Sequence, residues 1–62
     1  MKIDEILNLF RTLAMSQGFY GRLLANIEEL KKNDEESYDN FVSMMESKNF
    51  QNPLDVILFV EG

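Results

Sequence analysis

Cysteine and histidine are both absent from this chain of 62 residues. Without them there are no disulfides, and the common nucleophile–base arrangements of hydrolytic and transfer sites cannot be assembled. A chain this short buries only roughly 60% of the surface its unfolded form exposes, so small folds usually lean on disulfides or a structural metal. Carboxylates alone can bind Ca²⁺ or Mg²⁺. However, no Asp/Asn-rich loop with a central glycine occurs, so neither a metal nor a cofactor is expected. The staple that remains is association with another chain. Long apolar runs are lacking too. None approaches the roughly 20 residues of a membrane span, and the N-terminus has no signal-peptide-like apolar stretch, so a cytoplasmic protein is expected.

Positive charge is scarce. Eleven acidic residues against six basic ones give a net charge of −5. Counterion release from phosphates needs clustered Lys and Arg, and here Lys2, Arg11, Arg22, Lys31, Lys32 and Lys48 are scattered. The balance disfavours nucleic acid and suits solubility or a basic partner. Catalytic groups are equally thin. Ser16, Ser37, Ser43 and Ser47 have no activating base beside them. The pairs Glu28–Glu29 and Glu35–Glu36 point about 100° apart on a helix, so they do not converge on one reacting atom. No enzymatic site is expected.

What the chain does have is helical periodicity. Ile3, Ile6, Leu7, Phe10, Leu13 and Ala14 fall in one arc of roughly 120°, with Asp4, Glu5, Asn8, Arg11 and Thr12 opposite. A second stripe, Tyr20, Leu23, Ile27 and Leu30 with Phe19 and Leu24 on its flanks, is rotated from the first by roughly 120°. One straight helix cannot carry both stripes. A break is predicted between Met15 and Phe19, with Ser16 capping the new helix and Gly18 relieving the backbone. The second helix should end near Lys32. Asn33 three residues before Glu36 resembles a capping box, and Tyr38, Phe41, Val42 and Met45 follow at helical spacing to a stop near Asn49. Asn52, Pro53 and Asp55 form a helix-start signature for "NPLDVILFVEG", despite its β-branched residues. The expected fold is all-α: one domain, 1–62, built as a small bundle of three to four short helices.

Two surfaces then stand out as partner-binding candidates. Gly18, Gly21 and Ala25 cluster opposite the second apolar stripe, with Arg22 beside them. Small side chains let another backbone approach closely, either a second chain with Arg22 as polar anchor or a neighbouring helix of the same monomer. The last helix is apolar nearly all round. It either sits centrally or offers one half, including Val56, Phe59 and Val60, to a partner or dimer mate. Met15 and Met44 lie off their stripes as soft, adaptable contacts. "GFYGR" also has the aromatic-plus-basic composition used to stack bases.

The run "LFRTLAMSQGFYGRLLANIEEL", with "NPLDVILFVEG" at the end, resembles small acidic helical proteins of Gram-positive phages and mobile elements. The resemblance implies a small accessory protein that acts through partners, and it carries over no functional residues. The expected function is non-enzymatic protein–protein interaction, as a homodimer or as an accessory subunit or modulator of a larger protein. The alternative is a nucleic-acid-associated protein, either a weak helical binder through Tyr20 and Arg22 or an acidic competitor of DNA.

Overall fold

The computed structural model describes residues 1–62 and contains four helices: α1 (Ile3–Ala14), α2 (Gly18–Asn33), α3 (Glu35–Ser47) and α4 (Pro53–Glu61). The all-α expectation holds, and "NPLDVILFVEG" is helical. Asn52 accepts from the Asp55 N–H at 3.1 Å and Pro53 opens the helix. Together they outweigh the strand preference of Val56, Ile57 and Val60.

The first two connections differ in detail from the periodicity reading, and the third agrees with it. Ser16 does not cap α2. Its backbone N–H and hydroxyl both reach back to the Leu13 carbonyl, at 3.0 and 3.1 Å, so it closes α1. Gln17, in extended conformation, is the residue that precedes α2. Gly18 has no positive φ, and a Cβ built on it meets nothing within 4 Å, so the break makes no demand for glycine there. Asp34 rather than Asn33 caps α3, accepting from the Ser37 N–H at 3.2 Å and the Ser37 hydroxyl at 2.8 Å. Asn49 does take the left-handed conformation, φ 53°, that ends α3 and turns the chain toward Phe50.

The core is one cluster: Ile6 and Phe10 from α1, Tyr20, Leu24 and Ile27 from α2, Met45 from α3, Phe50 from the loop and Val56 from α4. Leu24, expected on the flank, is in this core, while Leu23 is half-buried at its edge. α2 is thus rolled so that its Tyr20–Leu24–Ile27 face meets α1. The first N–H of α1, at Ile3, donates to the Glu46 carboxylate of α3 at 3.1 Å, which satisfies one of the otherwise unpaired donors of a helix start. α4 leans chiefly on α1. No helix is long and apolar enough to cross a membrane.

Candidate functional site

The glycine strip of α2 divides when its surroundings are considered. Gly21 is half-buried, and a Cβ added to it would lie 3.7 Å from the Ala14 Cβ at the end of α1. It therefore faces a helix of the same chain, as the monomer-packing alternative anticipated. Gly18, Arg22 and Ala25 are exposed. None of the surface clefts is lined by them, and Arg22 is the one charged side chain among the three.

Tyr20 is corrected as a base-stacking platform. Its ring is 1% exposed, packs 5.7 Å from the Phe10 ring centroid, and its hydroxyl donates to Glu61 Oε1 at 2.7 Å. Burial, then the hydrogen bond and negative charge of Glu61, push the Tyr20 phenol up to about 12. The side chain ties the start of α2 to the end of α4 and leaves no face for a nucleotide. Arg22 remains on the surface without that aromatic partner.

On α4 the assignment of residues to inner and outer sides also changes. Val56 is fully buried, which removes it from any surface role. Val60 is half-buried against the core. Phe59 keeps 43% of its surface exposed, but its ring is 5.6 Å from Phe50 and the Lys48 ammonium sits 5.0 Å above it, so part of its apolar face is already engaged. The outward residues are Leu54 and Leu58, 60% and 62% exposed. They lie four positions apart on the side opposite Val56. From the sequence one half of this helix is a candidate to face a partner, but a helix apolar on every side hides which half is buried. The position of Val56 settles it.

Beside this stripe, the start of α2 and the end of α4 enclose an open cleft of about 330 Å³ lined by Gln17, Phe19, Val60 and Glu61. Phe19 is half exposed and meets Tyr20 edge-on at 5.1 Å, which holds its ring at the mouth. Met15 (91% exposed) and Met44 (43% exposed) stand clear of the core, as their off-stripe positions suggested. A second groove, about 320 Å³, runs between α1, α2 and α3, where Asp4, Arg11, Glu28 and Lys31 alternate in sign. No cluster of three or more carboxylates is placed to hold a metal ion, and no buried side-chain polar atom lacks a partner. No family model, curated protein or solved structure matches the chain.

Proposed function

We propose that this chain is a non-enzymatic protein–protein interaction module, working as a homodimer or as an accessory subunit or modulator of a larger protein. The observation that carries the reading is the Leu54–Leu58 stripe on the outer face of α4, with the half-exposed Phe19 in the cleft beside Glu61 at the end of that helix. Two large apolar side chains side by side on one helix face, close to a cleft of mixed polarity, support a surface that another protein covers. The net charge of −5 keeps the free chain soluble while that surface is bare. Of the residues expected to bind a partner, Phe59 is partly exposed on α4 and Val60 lines the cleft, whereas Gly18, Arg22 and Ala25 are exposed on α2.

The test is the double substitution Leu54→Ser and Leu58→Ser. Sedimentation velocity of the purified chain and affinity capture from the host should register a dimer or a stoichiometric partner for the parent chain. The substituted chain should lose it. Parent and variant behaving alike in both assays would overturn the reading.

A further inference from the structure

The charges around the leucine stripe say more about what covers it. At 100° per residue, Leu54, Leu58 and Glu61 fall within about 60° of one another, and Asp55 lies about 60° beyond Leu58. The two leucines therefore run between two carboxylates. α4 carries no basic residue. The Lys48 ammonium lies over the Phe59 ring, on the Asp55 side. Glu61 is also the only charged residue lining the Phe19–Val60 cleft. Its Oε1 accepts from Tyr20, which fixes the carboxylate while Oε2 is free to receive a further donor.

A second copy of this chain fits poorly. α4 has nine residues, hence a length of about 14 Å and a face of roughly 150 Å². A stable interface needs about 800 Å² per partner. Pairing α4 with itself would also bring the acidic borders of two chains of charge −5 together. A basic helix from a different protein removes the charge obstacle, and by continuing past Glu61 into the cleft at Phe19 it adds to the area that α4 alone offers.

We propose that the α4 face receives an amphipathic helix of another protein whose apolar stripe is bordered by Lys or Arg. An apolar side chain of that helix seats between Phe19 and Val60, and its cations reach Glu61 and Asp55. This rests on the interaction reading above and adds the chemistry of the partner.

The probes are three synthetic helical peptides of equal length: a leucine-striped peptide with lysine borders, the same stripe with glutamate borders, and a lysine peptide of identical composition with its stripe scrambled. Binding is followed by backbone amide shifts of the labelled chain. The lysine-bordered stripe should bind, with shifts centred on Phe19, Leu54, Leu58, Val60 and Glu61. The other two should bind at least about tenfold more weakly. Glu61→Gln keeps an acceptor for Tyr20 and removes only the charge, so it should weaken binding by roughly two- to fivefold. Leu54→Ser with Leu58→Ser should weaken it by about tenfold or more. The inference is overturned by equal binding of the glutamate-bordered or scrambled peptide, by shifts centred elsewhere, or by no binding of the lysine-bordered stripe up to about 1 mM. If it fails while sedimentation or capture still depends on Leu54 and Leu58, the interaction reading stands and only the partner's chemistry is wrong.

Discussion

At the scale of single residues, Gly21 and Tyr20 have opposite constraints. Gly21 lies inside α2, where glycine is worth about 1 kcal/mol less than alanine, and a Cβ there finds the Ala14 methyl at an ordinary 3.7 Å. Gly21→Ala should therefore raise stability in urea by about 0.5–1 kcal/mol. Gly21→Leu, which drives a large side chain against α1, should lower it by about 1–3 kcal/mol. Stabilisation by leucine would show that the face is open to another chain after all. Tyr20 is held neutral by its surroundings, with its phenol raised from the ordinary 10.0 to about 12. Between those values the folded chain keeps a proton that the unfolded chain has released, so stability falls as pH rises through that window and is fully present below it. Tyr20→Phe should flatten that part of the urea midpoint's pH dependence. An unchanged slope between pH 10 and 12 would remove the buried phenol as its source.

At the scale of elements, the helices were readable because their apolar stripes and end signals agree. Asn52, Pro53 and Asp55 marked α4 against the β-branched residues that follow, and Asn49 marked the end of α3. Asn52→Ala should remove the capping bond to Asp55, costing about 1 kcal/mol. Amide exchange in α4 should accelerate more than in α1 or α2, and uniform acceleration would mean that α4 does not open separately. Asp34, held below the ordinary carboxylate value by the Ser37 hydroxyl and N–H, stabilises α3 above that value and loses its effect as pH falls through the depressed one. Less was legible wherever two residues compete for one task. Asn33 and Asp34 are equally good cap residues, and Ser16, the better cap than Gln17, instead closes α1, so the choice depends on which backbone groups the packed helices leave open. The same applies to the site. Periodicity placed Leu24 at the edge of its helix and left α4 without sides, since the roll of a helix is set by its neighbours and not by its own pattern.

At the scale of the whole molecule, nine buried residues carry the fold, and all of them are apolar or aromatic. A chain of this length has a stability of roughly 3–9 kcal/mol. The leucines of the outer face add nothing to it that water does not already reach. Leu54→Ser with Leu58→Ser should accordingly change the urea midpoint by an amount worth no more than about 1–2 kcal/mol, leaving the chain folded while the proposed partner binding is lost. That separation of folding from association follows from a two-sided α4, whose Val56 side closes the core and whose Leu54–Leu58 side faces outward.

The shortness of α4 carries a last consequence. Isolated helices below about 12–15 residues are marginal in water, so a helix of nine residues keeps its shape only while docked. Whatever grips its outer face must therefore also hold Val56 in the core and Glu61 on Tyr20. A partner present at a hundred times its dissociation constant would add about 2.7 kcal/mol to the resistance of the chain to unfolding. In a cell, this would appear as lifetime: copies with a partner would outlast free copies, which unfold and are degraded more often. The level of the protein would then follow the supply of its partner without any change in its own synthesis.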